Sequence, residues 1–417
     1  MSRLDVYLNL DVVGVLDQND DDLLEFRYDP SWLTRKDAVP LSRSLPLQEK
    51  EFRGKHARAF FAGILPDEGP RRQIAAILGI SDLNDFALLE RIGGECAGAV
   101  SLWPEGVSPP APERSSRELS EPELVDIIAE LPRRPLLAGQ DGIRLSLAGA
   151  QDKLPVIVLK GGAIALPLGN TPSTHIIKPE PGRFPGLASN EALCMTLARR
   201  VGLNVPQVAL RSIDGHPCLM VQRYDRVTSE DGSIIRVHQE DFCQAMGFPP
   251  ERKYQQEGGP LLRQCFAMIR EWSSAPVLDI RDFVDGVIFN ILIGNADAHA
   301  KNYSFLYLNG ERRLAPLYDL VCTMAWPDLS KVPAMKVGKS SSMNNVTLSN
   351  WKFMAEETRL GWPMLRERLQ RMAGRVLSEL DHPELRQAAG NDDVFELVSR
   401  IIRGRLSSYI SPLNDPG

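Results

Sequence analysis

Apolar and polar residues alternate with a period of two along LDVYLNLDVVGVL and LLEFRY, which predicts half-buried strands. Just beyond, ARAFFAGILP and RRQIAAILG carry the wider apolar spacing of short helices. Residues 1–105 therefore read as an α+β unit. A Pro- and Ser-rich stretch, Pro104 to Ser116, breaks the pattern, and Ser120 is placed to cap a helix from Glu121 to Leu131. Residues 106–140 read as linker and helix.

From Asp141 the period of two returns in LPVIVLK, AIALPL and STHIIKPE, and the Gly161-Gly162 pair between the first two runs marks a hairpin. SNEALCMTLARRVG is helical: Ala192, Met195 and Arg199 trace one face, Leu193, Leu197 and Val201 another, and Gly202 ends it. VPQVAL and HPCLMVQRYDR are again strands, and QEDFCQAMG opens a short helix. Five strands around one helix make residues 141–250 a β-rich lobe. DFVDGVIFNILIGNAD, WKFMAEETRL, MLRERLQRMAGRVLSEL and VFELVSRIIRGRLSSYI carry helical periodicity, so residues 251–417 read as a mostly α-helical lobe.

The 417 residues, 43% hydrophobic and 24% charged, suffice for two or three packed units. A net charge of −6 and a pI near 5.7 exclude a polycation that coats nucleic acid along its whole length. No apolar run reaches the roughly 18 residues of a membrane-spanning helix, and MSRLDVYLNLDVVG lacks the apolar core of a signal peptide, so the expected location is cytoplasmic. The six cysteines are scattered without a CxxC pair and read as buried thiols, and no Cys/His cluster points to a zinc site.

One stretch gathers chemistry. In GNADAHAKNYSFLYLNGERRLAPLYDL, Gly294 to Leu320, the Asn309-Gly310 pair favours a type I′ turn, so YSFLYL and RRLAPLY pair as antiparallel strands. The hairpin brings Asp297, Asn302 and Asp319 toward one point. The D-x-x-x-x-N spacing of Asp297 and Asn302 equals that of a protein-kinase catalytic loop, and Asp319 stands where the metal-binding aspartate of such an enzyme follows. Oxygen ligands of this kind suit Mg²⁺. Alone, the spacing is equally that of a polar turn. Lys178, at the end of HIIKPE, is placed as a strand-borne phosphate lysine or as a solvated surface residue. Glu191 is placed to orient Lys178 or to complement a helix N-terminus. SLAGAQDK, Ser146 to Lys153, is rich in small residues whose amides could cradle phosphates, although it is neither GxGxxG nor a Walker A sequence.

Together SLAGAQDK, HIIKPE, QEDFCQAMG, NADAHAKNYS and LAPLYDL resemble, in order and separation, the HipA-type serine/threonine kinases, the toxin halves of bacterial toxin-antitoxin modules. The resemblance covers nearly the whole chain. It implies a two-lobed, protein-kinase-like fold with ATP and Mg²⁺ between the lobes. By motif position Asp297 would be the catalytic base, Asn302 and Asp319 the Mg²⁺ ligands and Lys178 the phosphate contact. Ala148, Gly149, Ala150, Gln151, Asp152 and Lys153 would form the phosphate loop, and Glu240 and Phe242 the segment that receives adenine, largely through the main chain. His299 would be structural or would position its loop.

Ser146 matches the serine that such kinases phosphorylate on themselves, which expels a loop with few apolar anchors and switches the enzyme off; otherwise it is a serine that turns the loop. The resemblance also implies a helix-turn-helix antitoxin of HipB type as partner, operator DNA met mainly through that antitoxin, and an aminoacyl-tRNA synthetase, glutamyl-tRNA synthetase above all, as protein substrate. Asp152 and Ala298 stand where other members carry different residues, and neither removes a group the reaction needs. A non-catalytic antitoxin-binding scaffold and a small-molecule kinase are the alternatives from other classes.

Overall fold

The protein is described by a computed structural model covering residues 3–109, 116–229 and 233–410. The N-terminal alternation produces strands β1 (Arg3–Leu8), β2 (Asp11–Gln18) and β3 (Leu24–Tyr28), joined by β4 (Phe52–Arg53) and β5 (Val100–Pro104). They form an antiparallel sheet in the order β4-β3-β2-β1-β5. Leu4, Val6, Leu16 and Phe26 fall on its buried face, as a period of two requires. Helices Lys55–Phe61, Glu68–Leu78 and Asp85–Ile92 cover that face.

A second sheet has six strands among the described residues, one more than the five the sequence predicts. Its order is β10 (Val208–Ile213), β11 (His216–Gln222), β9 (His175–Pro179), β7 (Leu154–Val158), β8 (Ile164–Pro167) and β6 (Ser116–Glu118). The extra strand, β6, comes from the end of the stretch read as linker, where SRE pairs with the edge of β8. Residues 110–115 of that linker lie outside the described residues. Gly161 and Gly162, at φ 95° and 89°, make the β7–β8 turn. The helix predicted after Ser120 runs Glu121–Glu130, with Ser120 and Glu123 completing a capping box. A single apolar core joins the N-terminal sheet to this second sheet, from Leu4 and Phe60 through Leu154 and Val156 to Ile177 and Met220.

Helix Leu187–Arg200 has two apolar faces because it is packed on both sides. Ala188 and Ala192 meet Leu219 and Val221 of the sheet, while Leu193, Leu197 and Val201 enter the core of the helical lobe. That core is built on helices Leu262–Trp272, Pro276–Ile293, Leu348–Thr358, Trp362–Glu379 and Asp392–Ile410. Strands β12 (Arg226–Thr228) and β13 (Ile234–Arg236) pair antiparallel as a separate two-stranded sheet. Strand β14 (His238–Asp241) pairs with β15 (Ser304–Leu308), which pairs with β16 (Glu311–Leu314). Residues 238–246 therefore pack with the helical lobe, although the sequence groups them with the β-rich lobe. The fold is α+β, with the β-rich and helical lobes meeting along a cleft. No helix among the described residues is long and apolar enough to cross a membrane.

Candidate active site

A cavity of about 610 Å³ lies in that cleft, walled by the second sheet, residues 147–153, the loop before β15 and the segment after β16. Strand β9 sets its roof: Ile177 turns into the shared core, so Ile176 and Lys178 turn to the cavity. Lys178 Nζ donates to Glu191 Oε1 at 2.7 Å and to Asp319 Oδ1 at 2.6 Å. Burial opposes the charge on Lys178, but the two carboxylates outweigh it and hold the ammonium protonated. Burial likewise opposes ionisation of Asp319, and the pair with Lys178 reverses this and holds its carboxyl well below the usual range. Glu191, almost wholly enclosed, has its pKa pushed up by burial despite the same lysine, so Asp319 is the more firmly charged partner.

The floor is a knot of side-chain and backbone bonds at the end of helix Pro276–Ile293. Gly294 closes that helix at φ 77°, which a residue with a side chain adopts only under strain. Asn295 then ties the loop together: it donates to Asn290 Oδ1 at 2.8 Å and to the Asp319 carbonyl at 3.4 Å, while its own Oδ1 accepts from the Asp297 amide. Asn302 Nδ2 donates to the Asp297 carbonyl at 3.2 Å. The predicted hairpin follows, with Asn309 and Gly310 at φ 53° and 78° in its turn. Asp319 itself has φ 59°, a strained value for a residue with a Cβ, which persists only where the surroundings impose it.

Asp297, Asn302 and Asp319 thus line one cavity with Lys178. Asp297 stands at its open side, and the surrounding protein still raises its pKa above the ordinary carboxylate value by desolvation. With Nδ2 engaged, Asn302 has its amide oxygen left for a cation. That oxygen and the Asp319 carboxylate are hard donors of the type Mg²⁺ takes. The residues present fit the ion.

The HipA N-terminal domain family matches residues 4–103 and the HipA-like C-terminal domain family residues 145–381. The chain belongs to the HipA family. It is 45% identical over 411 residues to a putative kinase, Y4mE, of Sinorhizobium fredii, covering 98% of this chain and 93% of that one. It is 31% identical over 369 residues to the serine/threonine-protein kinase toxin HipA of Shewanella oneidensis, covering 85% and 83%. The solved complex of Shewanella oneidensis HipA, HipB and operator DNA contains a chain that superposes with a TM-score of 0.80 at 26% identity, covering 98% of this chain and 96% of that one.

In this HipA-family chain the small-residue stretch takes an irregular course along the cavity. The amides of residues 148–152 make no backbone hydrogen bond among the described residues, so they are free to meet an anion. Ala148, Gly149, Ala150, Gln151, Asp152 and Lys153 all line the cavity. Lys153 folds back onto the Ala148 carbonyl at 2.6 Å, and burial followed by the neighbouring Lys178 depresses its pKa to about 8. Gln151 donates to the Pro179 carbonyl, and burial raises the pKa of Asp152. His299 lines the cavity as a neutral ring: burial lowers its pKa to about 3, and its Nδ1 has no partner among the described residues.

Glu240, Phe242 and Ser146 have surroundings that the sequence did not show, and one expectation, that of a poorly anchored loop at Ser146, needs correction. The side chains of Glu240 and Phe242 point away from the cavity, so contact of this segment with adenine would run through its main chain; β14 alternates, and Gln239 and Asp241 line the cavity. Glu240 is instead buried against Ser42, the Arg43 amide and the Tyr307 hydroxyl. Phe242 packs into the helical core against Phe283, Tyr303 and Phe305, and its amide donates to the Tyr303 carbonyl. Ser146 is buried: its hydroxyl donates to the Ile64 carbonyl at 3.0 Å and its amide to the Glu95 carbonyl at 2.9 Å. The segment is not poor in apolar anchors either, since Leu145 and Leu147 are both buried.

Sequence reasoning passed over Asp67, Lys253, Tyr254 and Lys301, which also line the cavity. Lys301 adjoins Asn302 and was open to notice. The others sit in irregular segments far away in sequence, where nothing local marks them.

Proposed function

We propose that this chain is an ATP- and Mg²⁺-dependent serine/threonine protein kinase acting as the toxin of a toxin-antitoxin pair. The observation that carries the reading is the convergence of Lys178, held by Glu191, with Asp297, Asn302 and Asp319 on one cavity. Family membership supplies the reaction class.

In this reading Lys178 and the amides of residues 148–152 hold the nucleotide phosphates, and Ile176 and Val221 offer an apolar wall to its base. Asn302 and Asp319 would hold Mg²⁺, which offsets phosphate charge when bound. Asp297 accepts the hydroxyl hydrogen of a serine or threonine and aims its oxygen at the terminal phosphate. The bonds of Asn295 to the Asp319 carbonyl and from the Asp297 amide hold the backbone that carries these two carboxylates.

The HipB antitoxin and operator DNA in the solved relative support a helix-turn-helix partner of the same type here, with DNA reached mainly through it. The proposed target is an aminoacyl-tRNA synthetase, glutamyl-tRNA synthetase first. Ser146 is the proposed site of self-phosphorylation. A phosphate dianion has no room beside the Ile64 carbonyl and between two buried leucines, so modification would favour a state with the segment outside the core.

The test is transfer from γ-labelled ATP to lysate proteins and to purified glutamyl-tRNA synthetase. Wild type should label a protein, and Asp297→Asn should not, with both chains folded. Equal labelling by the two would overturn the assignment of the base. Labelling of metabolites alone would point to a small-molecule kinase.

A further inference from the structure

The segment between helix Phe242–Met246 and helix Leu262–Trp272 places two residues at the cavity. The Tyr254 hydroxyl donates to Asp297 Oδ1 at 2.7 Å, and its ring stands edge-on to His299 with centroids 5.3 Å apart. Lys253 Nζ donates to Asp67 Oδ2 at 2.6 Å. Asp67 comes from the N-terminal unit, and its other oxygen accepts from Lys301 Nζ at 2.7 Å. Its amide reaches the Gly149 carbonyl at 3.3 Å. The carboxylate is nearly inaccessible to solvent, a placement that is tolerable because two ammonium groups neutralise it.

We propose that Tyr254 is a positioning residue for the Asp297 carboxylate and that Asp67, acting through Lys253, holds Tyr254 in place, making the N-terminal unit a working part of the transfer site. This rests on the reading of Asp297 as the base. Asp297 is exposed, and an exposed aspartate exchanges rotamers freely unless something fixes it. The phenol bond fixes one oxygen and leaves the other for the incoming hydroxyl.

The alternative, a tyrosine that merely occupies the acceptor position until displaced, is disfavoured by the ties on its segment. The amides of Glu257 and Gly259 both donate to the Tyr254 carbonyl, at 3.0 and 2.9 Å. Gln255 is bound on both sides, its amide to the Ala334 carbonyl and its side-chain oxygen to the Lys336 amide. A displaceable gate would lack such anchors.

The test uses the full chain, γ-labelled ATP and a degenerate serine/threonine peptide pool. Tyr254→Phe keeps the ring and removes only the hydroxyl. Its kcat should fall about tenfold or more, because small misplacement of a reacting group costs orders of magnitude, while the KM for ATP and the Tm stay at wild-type values. Asp67→Asn should lower kcat in the same way, and the double variant should be no slower than the slower single one, since both changes cut one strut.

An unchanged kcat in Tyr254→Phe overturns the proposal, and losses that multiply in the double variant overturn the link to Asp67. Should Asp67→Asn fail to fold, Lys253→Met cuts the same link. Asp297→Asn is run alongside: activity retained there removes the base reading, whereas loss there with full activity in Tyr254→Phe removes only this proposal.

Discussion

Lys178 on the sheet and Asp319 beyond the hairpin are ion-paired at 2.6 Å across the cleft, so the site's main cation and its metal-type carboxylate neutralise each other before any nucleotide arrives. Productive ATP binding must exchange part of this pair for phosphate and metal contacts. Glu191 is then what stops Lys178 from being left alone, a buried ammonium having no cheap alternative.

Asp319→Asn is therefore expected to leave the fold intact, because Lys178 retains Glu191. Transfer should fall by about a hundredfold or more, the scale for removing one charge aimed at a phosphoryl group, and excess Mg²⁺ should restore little. Labelled-ATP transfer across a Mg²⁺ series, with thermal unfolding as a control, measures both. Full activity would remove Asp319 from the site.

Glu191→Gln weakens the clamp from the other side. With only Asp319 to hold it, Lys178 should stay turned to that carboxylate, so the KM for ATP should rise about tenfold, equal to a binding loss near 1.4 kcal/mol. A steady-state ATP titration reads this directly. An unchanged KM would show that Glu191 does no more than fill the helix.

How far the site could be read from the sequence depended on distance along the chain. The Asn309-Gly310 turn fixes the hairpin, so Asp297, Asn302 and Asp319 were brought together by local rules alone. Lys178 was legible as a lysine at the end of a strand, but with Ile176 and Ile177 adjacent the pattern left its face open until Ile177 was seen to enter the core. Periodicity along residues 238–241 sets Gln239 and Asp241 on the face opposite Glu240, but only the packing of β14 in the folded chain says which of the two faces looks to the cavity. Strand β6 was missed because three residues carry too little pattern, and Asp67 because only tertiary packing carries it across to Lys253 and Lys301.

Phe242 distinguishes core from site. It is fully buried among three aromatic rings, so Phe242→Ala should destabilise the fold by about 3–5 kcal/mol. Phe242→Leu, which keeps most of the volume, should fold with an unchanged KM for ATP. Denaturant unfolding and an ATP titration check the two halves, and a raised KM in Phe242→Leu would return the side chain to the nucleotide site.

Glu240 should make stability depend on pH. Burial raises its folded pKa from 4.5 to about 7, against the bonds from Ser42, Tyr307 and the Arg43 amide. A carboxyl whose pKa is raised on folding favours the native state below the unfolded value, and that contribution is lost as pH climbs through the folded value. Between about pH 4.5 and pH 7 the protein should therefore lose on the order of 3 kcal/mol from this group. His238 beside it has its pKa lowered to about 4 by burial and drifts the opposite way, so the clean quantity is the difference from Glu240→Gln. That variant should gain stability on wild type as pH rises from 5 to 8, and a constant difference would show that Glu240 is ionised throughout.

Ser146 offers the last prediction. Ser146→Ala removes one buried hydroxyl and leaves the Ile64 carbonyl unpaired, a cost of about 1–3 kcal/mol. It should retain initial kinase activity, since the hydroxyl touches no residue of the proposed transfer site. What should change is the progress curve: wild type incubated with ATP should lose activity as it labels itself, whereas Ser146→Ala should hold its rate. Limited proteolysis gives a second readout, because a phosphorylated segment driven from between Leu145 and Leu147 should be cut where the unmodified one is protected. If wild type and Ser146→Ala decay alike, the switch lies elsewhere and Ser146 is a packing residue.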